Sequence, residues 1–246
     1  MSNSISILFF VMCIFSCNNI TKENNDWIYL FDGTTTNGWR AYNEDSLPSG
    51  WIIDKEGALT FNKEDKAGGG DIIYGIEEFE NFELYLEWKL PLGGNSGIFY
   101  HIKEGFNGIA QIAPEYQLID DENYSKIYNY ELQEWQQTAS DYSMYTADPK
   151  QKVLKPIGEW NTTKIRFTPE LVEHWLNGKK VLSFVPWSDD WYQRKAAGKW
   201  KNSTKYGSFK RGYIGLQDHD SPIWLSLIHI SEPTRRYAIW VCVVWV

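Results

Sequence analysis

The stretch Leu90–Asp121, with the sequence LPLGGNSGIFYHIKEGFNGIAQIAPEYQLIDD, decides the fold. It opens with a Gly-rich turn at residues 93–97 and continues into a strand-like run, Ile98–Ile102. After a loop comes a second strand-like run, Glu115–Ile119. Apolar runs of this length, bounded by Gly and Pro, are typical of β-strands.

The two runs also place polar side chains in a pattern. Residues two apart in a strand share a face, so Glu115 and Gln117 are predicted to lie side by side. By the same rule Phe99 and His101 are predicted to share a face of the earlier run. A carboxylate beside an amide, with a histidine strand nearby, is typical of a functional site. An ordinary polar outer face of a sheet fits the same pattern, and both alternatives stay open.

The remainder of the chain has short apolar runs separated by turn signals. Phe82–Leu90 alternates, with four large apolar side chains on one face and polar ones on the other. Tyr124–Tyr142 and Ser188–Ala197 are the candidate helices. The other strand-like runs are Trp27–Phe31, Trp51–Asp54, Ala58–Phe61, Asp71–Tyr74, Lys164–Phe167, Leu171–Leu176, Lys180–Phe184 and Gly212–Gln217. Many short strands with regular turns predict an all-β sandwich.

Length and composition narrow the class of protein. The chain has 246 residues, enough for one large β domain with a sizeable core. The net charge of −8 argues against a nucleic-acid surface. The 13 Trp and 15 Tyr indicate aromatic side chains both in the core and on a surface that stacks against sugar rings.

The first residues are predicted to be a targeting segment. Ile5–Phe15 is an apolar run too short to span a membrane, and it leads into Ser16 and Cys17. This end resembles a bacterial lipobox, in which the cysteine carries lipid and becomes the mature N-terminus. We therefore expect a lipoprotein-type signal at residues 1–17, a polar tether at 18–26 and an exported protein held on a membrane by lipid. A plain secretory signal is the alternative.

The far end has a different character. Leu225–Arg235, LSLIHISEPTR, resembles the codon-by-codon translation of a transposase sequencing adaptor. We therefore expect residues 225–246 to be an adaptor-derived tail and the native domain to cover 27–224. Two of the three cysteines then lie in the signal and one in the tail, so the domain has no disulfide to form.

Eight short motifs now occur in one order along the chain. They are Leu30-Phe31-Asp32-Gly33, Gly38-Trp39, Glu87-Trp88-Lys89, Gly94-Asn95-Ser96-Gly97-Ile98-Phe99, Pro114-Glu115-Tyr116-Gln117, Gly158-Glu159-Trp160-Asn161, Glu173-His174-Trp175-Leu176-Asn177-Gly178 and Gly215-Leu216-Gln217-Asp218-His219. Together they resemble the 3-keto-disaccharide hydrolase family, also described as 3-keto-glucoside lyase and hydratase. The resemblance covers residues 27 to 224 and implies a concanavalin A-like jelly roll exported from bacteria. Asp220 departs from the family pattern, which usually has glycine there.

The resemblance implies a carbohydrate substrate, a 3-keto-glycoside. The ketone acidifies the C2 proton, so a base can remove that proton, the C1 aglycone can leave, and water can add. We expect Glu115 to be the base, with His101 and His219 as candidates for the acid or for polarising the ketone.

Six further residues are expected to bind the substrate. Gln117 and Gln217 would orient sugar hydroxyls. The remaining four are Glu87, Lys89, Asn95 and Ser96.

The sequence also bears on cofactors and on alternative functions. No cofactor is predicted, although adjacent Asp120 and Asp121 either bind a divalent metal such as calcium or cap a turn. No HExxH, CxxC or phosphate-loop motif occurs. A non-catalytic carbohydrate-binding module is the alternative, because the fold hosts both binders and enzymes. A conventional glycosidase would need two carboxylates, and only Glu87 with Glu115 offers such a pair.

Overall fold

The computed structural model describes residues 27–61 and 68–232. The predicted signal, Cys17 and the tether lie outside these residues, as does the tail beyond Glu232. The strands within the described part are β1 Ile28–Phe31, β2 Trp39–Ala41, β3 Trp51–Ile53, β4 Leu59–Phe61, β5 Ile72–Tyr74, β6 Phe82–Lys89, β7 Asn95–Ile102, β8 Glu115–Ile119, β9 Asn161–Phe167, β10 Val172–Leu176, β11 Lys179–Phe184, β12 Tyr213–Leu216 and β13 Trp224–Ser231. Every strand predicted from the sequence is present.

The strands form two antiparallel sheets that pack face to face. The large sheet has eight strands in the order β11-β10-β9-β6-β13-β4-β3, with β1 also paired to β13. The small sheet has five strands in the order β2-β5-β12-β7-β8. One continuous apolar core contains residues from both sheets, such as Leu84 of β6 and Tyr116 of β8. The predicted β-sandwich is therefore confirmed.

Strand β6 contributes four buried apolar side chains to the core between the two sheets. Its burial alternates along all eight residues, with Phe82, Leu84, Leu86 and Trp88 turned into the core. Fully burying side chains of this size stabilises the fold by about 1.5–3 kcal/mol each. The indole N–H of Trp88 donates a hydrogen bond to Thr163 Oγ1 at 2.9 Å, so its polar atom is satisfied inside the core.

Strand β13 contains the first part of the predicted tail. It lies inside the large sheet between β6 and β4, and Leu225, Ile228 and Ile230 are fully buried. Leu227 has a positive φ of 48° at a register shift, and this bulge restores the inward alternation after it. Residues 225–231 therefore have the hydrophobic pattern that a central strand needs. The adaptor origin of residues 225–246 stays a prediction.

The outer edge of β8 is covered by the chain that follows it. The N–H of Gln117 donates to Ser140 O, and the N–H of Tyr142 donates to Glu115 O at 2.9 Å. Residues 139–142 thus pair with β8 and protect an edge that would otherwise be open. This covering segment brings its own side chains close to the predicted base.

The helices are few and short. Only Tyr124–Tyr128 of the first candidate region is α-helical (α1). Residues 139–142 of that region pair with β8 instead. The second prediction is confirmed as α2, Asp189–Ala197, and the Ser188 side chain accepts a hydrogen bond from Trp191 N at its start. Short 3-10 helices occupy Ile109–Gln111, Glu134–Gln136 and Lys199–Asn202. None of the helices within 27–61 and 68–232 is long and apolar enough to cross a membrane.

Candidate active site

The outer face of the small sheet carries a group of polar side chains. Tyr116 and Leu118 of β8 point into the core between the sheets. Glu115 and Gln117 alternate with them and therefore face outward. The predicted pairing of this carboxylate and this amide on one face is confirmed.

Glu115 lies directly over a glycine of the neighbouring strand. A Cβ added to Gly97 would clash with Glu115 Oε1 and approach its Cδ to 2.8 Å and its Cγ to 2.9 Å. Gly97 faces Gln117 in the β7–β8 register, so it occupies the middle of the outer face. Only the absence of a side chain at Gly97 leaves room for the carboxyl group.

The carboxyl of Glu115 is almost completely removed from water. The residue is 4% exposed, and its Oε1 has no hydrogen-bond partner among the described residues. Burial raises the pKa of Glu115 well above its ordinary value. The negative charges of Asp71 and, more weakly, Asp141 raise this pKa further, whereas the positive charge of Lys199 lowers it. The carboxyl group therefore favours a proton more strongly than an exposed glutamate does.

Asp71 is a second carboxyl group of the site, and it was not predicted as a site residue. It precedes β5, and the β5–β12 register places it beside Gln217. Its Oδ1 accepts a hydrogen bond from Asp218 N at 3.0 Å. Burial, together with the charge of Asp218, raises the pKa of Asp71 to about 6. The order of strands in the small sheet puts Asp71 on the same sheet as Glu115, with β12 and β7 between their strands, and no local sequence signal encodes that order.

Three predicted amides lie on this outer face. Gln117 Nε2 donates to Asn95 Oδ1 at 3.0 Å, which fixes the orientation of both side chains. Gln217 is anchored by its backbone N–H, which donates to Gly97 O at 2.9 Å. Its buried Oε1 has no hydrogen-bond partner in the part of the chain described, and it is therefore available to a hydroxyl group.

Ser96 contributes to the site indirectly. It alternates with Asn95 and Gly97, so its side chain points to the opposite side of the small sheet. Its Oγ donates a hydrogen bond to the backbone oxygen of Gln217 at 2.8 Å. The structure therefore assigns Ser96 to holding Gln217 in place rather than to contact with the outer face.

The expectation that His101 shares a face with Phe99 is wrong. His101 has a positive φ of 55°, and the β7–β12 register shifts beside it. This bulge turns the imidazole into the core, where its ring lies 4.3 Å from that of Phe167 in the large sheet. His101 Nε2 pairs with Glu80 O at 2.9 Å, and burial lowers its pKa to about 4. A bulge residue is hard to foresee from a regular alternation.

His219 remains near the outer face but is exposed. It follows β12 by three residues, two positions beyond Gln217. Its neighbour Asp218 is held by the backbone N–H groups of Gly70, at 2.7 Å, and Asp220, at 2.9 Å. His219 lies at the same end of β12 as the amides, and a role in binding or proton transfer stays a prediction.

Glu87 and Lys89 lie on the other side of the molecule. Both face outward from β6, which belongs to the large sheet. Glu87 accepts a hydrogen bond from Tyr85 OH at 3.2 Å, and Lys89 Nζ lies 5.0 Å from the ring centre of Trp160. The thickness of the sandwich separates these side chains from Glu115, so the structure does not bring them into one site. Alternation alone identifies the face of a strand but not the sheet that contains it.

The two acids after β8 form turn and ion-pair contacts. Asp120 accepts hydrogen bonds from Gly93 N at 2.8 Å and Asn123 N at 3.1 Å. Asp121 pairs with Lys152 Nζ at 2.6 Å. Asp120 and Asp121 were predicted either to bind a divalent metal or to cap a turn, and these contacts are those of residues that cap a turn. Residues 27–61 and 68–232 contain no group of three or more His, Cys, Asp or Glu that could hold a metal ion.

A cluster of aromatic rings adjoins the polar face. Tyr142 lies beside Trp135, with ring centres 5.4 Å apart, and Trp200 stacks on Tyr206 at 4.2 Å. The ammonium group of Lys199 lies 4.4 Å from the ring centre of Tyr142. The abundance of aromatic residues indicated such a surface, but the sequence did not place these rings near Glu115.

Sequence comparison identifies the family of the chain. Residues 26–231 match the model of the 3-keto-alpha-glucoside-1,2-lyase-like domain. The chain belongs to this family. It is 35% identical over 234 residues to the 3-keto-disaccharide hydrolase of Bacteroides thetaiotaomicron, a match that covers 85% of this chain and 79% of that protein. The expected family membership is confirmed.

Solved structures confirm the jelly-roll fold of this 3-keto-alpha-glucoside-1,2-lyase-like domain. A protein of Parabacteroides distasonis described as a candidate glycosyl hydrolase is 34% identical, with a TM-score of 0.76 over 85% of this chain and 94% of that one. A second such protein from the same organism is 26% identical, with a TM-score of 0.64 over 85% of this chain and 100% of that one. The all-β, concanavalin A-like class predicted from the sequence is therefore correct.

Replacing Gly97 tests the contact that shapes the site. We expect Gly97→Ala to lower the free energy of unfolding by about 1–3 kcal/mol, the usual cost of overpacking. In a Glu115→Ala background the same change should cost much less, because the clash is with the Glu115 side chain. Denaturant unfolding of the four proteins gives this double-mutant cycle.

The matched control is Gly108→Ala. Gly108 has an extended φ of −174° and open space where a Cβ would lie, so its substitution should change stability little. An equal cost of Gly97→Ala with and without the Glu115 side chain would contradict the geometry described.

Proposed function

We propose that the protein is a glycan-degrading enzyme that cleaves glycosidic bonds of 3-keto-glycosides. Membership of the 3-keto-alpha-glucoside-1,2-lyase-like family and the 35% identity to a 3-keto-disaccharide hydrolase support this substrate class. The observation that carries the proposal is the buried carboxyl of Glu115, whose Oε1 has no hydrogen-bond partner among the described residues.

Glu115 has the properties of a general base for a weakly acidic carbon. Abstraction of the C2 proton requires a base with a pKa near the working pH, and burial raises the pKa of Glu115 well above its ordinary value. The proton passes from C2 to Glu115, and the C–H electron pair forms an enolate with the C3 carbonyl. The enolate then reforms the carbonyl as the C1–O bond breaks, and the bond pair leaves on the aglycone oxygen, which takes a proton from water. Addition of water to the resulting double bond completes a hydrolysis.

The neighbouring polar groups position the sugar in this mechanism. Gln217 Oε1 is a buried acceptor without a partner in the described chain, so it suits a sugar hydroxyl. Gln117 and Asn95 are bonded to each other and present a fixed surface on the same face. Asp71 acts through charge, since it raises the pKa of Glu115.

Two rival functions fit this geometry less well. A carbohydrate-binding module needs aromatic rings and amides. It gains nothing from a carboxyl group whose buried Oε1 has no hydrogen-bond partner among the described residues, because such an atom is costly to maintain. A conventional glycosidase built on Glu87 and Glu115 is not compatible with their positions, because the two side chains are on opposite outer faces of the sandwich. The base-catalysed elimination uses the Glu115 carboxyl alone, whereas a binding module has no use for it and the glycosidase lacks Glu87 as its second carboxylate.

The substitution Glu115→Gln separates an enzyme from a binding module. It keeps the shape of the side chain and an acceptor oxygen but removes the base, so turnover of a 3-keto-glucoside should fall by at least about 10²-fold. Affinity for the sugar should change little, because the amide oxygen still accepts a hydrogen bond. Initial rates and equilibrium binding on the same preparations measure the two quantities.

The control is Glu134→Gln, which changes an exposed carboxylate of the short 3-10 helix Glu134–Gln136 and should keep wild-type turnover. The unoxidised parent glucoside should not be cleaved by any of these proteins. Wild-type turnover in Glu115→Gln, or cleavage of the parent alone, would contradict the proposed mechanism.

We also propose that the protein is exported and anchored to a membrane by lipid at Cys17. The lipobox-like end of the apolar run supports this proposal. We expect Cys17→Ser to move the protein from the membrane fraction to the soluble fraction, as measured by fractionation and immunoblotting. Unchanged membrane association of the Cys17→Ser protein would contradict the lipid anchor.

A further inference from the structure

Removal of the C2 proton places negative charge on the C3 oxygen, and Glu115 cannot stabilise that charge. The electron pair left by the proton moves into a C2–C3 double bond, and negative charge develops on the C3 oxygen. A cation or hydrogen-bond donor at that oxygen is usually a large contributor to the rate. His101, one of the candidates for the acid or for polarising the ketone, lies in the core, where burial lowers its pKa to about 4. This inference rests on the proposed function.

Lys199 supplies a cation in the aromatic cluster that adjoins the polar outer face of the small sheet. It begins the 3-10 helix Lys199–Asn202 that follows α2, and its side chain is exposed. Its Nζ lies 4.4 Å from the ring centre of Tyr142 and 4.8 Å from that of Trp200. Its Nζ also donates a hydrogen bond to Tyr142 OH at 3.2 Å. Two rings and a phenol oxygen therefore hold the ammonium group.

Tyr142 and Trp200, which contact the ammonium group of Lys199, are hydrogen-bonded to each other and to the strand that contains Glu115. The backbone N–H of Tyr142 donates to Glu115 O at 2.9 Å. Trp200 Nε1 donates to Tyr142 O at 3.3 Å, and the Trp200 ring is 5% exposed and stacked on Tyr206. These contacts tie the position of the ammonium group to the position of the carboxyl group.

Lys199 keeps its charge available. The described residues include no carboxylate within ion-pairing distance of it, whereas Lys152 and Lys103 are bound to Asp121 and Glu78. Aromatic rings attract a cation without neutralising it, so the charge remains free to act on an anion. The positive charge of Lys199 lowers the pKa of Glu115.

We propose that Lys199 binds the C3 oxygen of a 3-keto sugar and stabilises the enolate formed when Glu115 removes the C2 proton. The C2–H bond breaks and its proton goes to Glu115 as the C2–C3 double bond forms. The negative charge on the C3 oxygen is held by the Lys199 ammonium group, which keeps its own protons. When the carbonyl reforms, the charge leaves with the aglycone oxygen. Tyr142 and Trp200 act as positioning residues for Lys199.

Proton exchange at C2 isolates this step from bond cleavage. A 3-keto-1,5-anhydroglucitol has the ketone and the C2 proton but no aglycone, so it can form the enolate without elimination. In D₂O the wild-type protein should replace the C2 proton with deuterium, which proton NMR follows. We expect Lys199→Met to slow this exchange by about 10²–10³-fold, the range for loss of one oxyanion donor. Lys199→Arg keeps the charge and should retain most of the rate.

Two further measurements separate a catalytic role from a structural one. Loss of the positive charge should raise the pKa of Glu115, so the acid limb of the exchange rate should move to higher pH in Lys199→Met. Lys201→Met removes an equal charge from an exposed position of the same short helix and should leave the exchange rate and its pH profile unchanged. Thermal unfolding of each variant checks that the fold is retained.

The outcomes are distinguishable. Absence of exchange in the wild-type protein would contradict the proposed function and this inference with it. Wild-type exchange that Lys199→Met leaves unchanged would contradict only the role of Lys199. An Lys199→Arg protein as slow as Lys199→Met would show that charge is not what Lys199 contributes, which also overturns the inference.

Discussion

The close contact between Glu115 and Gly97 is the constraint on which the site depends. The missing side chain at Gly97 leaves space for the Glu115 carboxyl group against the small sheet, out of water. Burial without a hydrogen bond to Oε1 makes the charged form of this group costly, and its pKa rises. The jelly roll supplies the rigid surface that maintains this contact, since β7 and β8 are paired along five residues.

Opposing charges then adjust the same carboxyl group. Asp71 and Asp141 raise the pKa of Glu115, and Lys199 lowers it. Asp141 is itself buried, and burial raises its pKa to about 8. In the proposed elimination, Glu115 would take a proton from carbon and later release it, and such a balance suits that role, because too low a pKa gives a weak base and too high a pKa leaves it protonated.

Much of the fold could be predicted from the sequence because alternation and turn residues act locally. The inward face of Phe82–Lys89 and the shared face of Glu115 and Gln117 follow directly from the period of a strand. The positions of His101 and Glu87 could not be predicted in this way. A β-bulge turns the His101 side chain to the opposite face, and the position of Glu87 depends on which sheet contains β6.

Two residues that the sequence analysis did not select, Asp71 and Lys199, also depend on tertiary structure for their positions. Asp71 and Lys199 come from segments far from Glu115 along the chain, and neither lies in a motif that resembles a site. Asp71 reaches the outer face because β5 and β12 are neighbours in the small sheet, and Lys199 is held by rings of Tyr142 and Trp200. Only tertiary structure brings such residues together.

Direct titration of Glu115 tests the central claim. Carbon-13 NMR of the protein labelled at the glutamate side-chain carboxyl follows each carboxyl group through a pH series, and the Glu115→Gln protein identifies the resonance of Glu115. The account predicts one resonance that titrates well above the ordinary glutamate pKa of about 4.3 and is missing from the Glu115→Gln spectrum. A Glu115 resonance that titrates in the ordinary range would contradict the account.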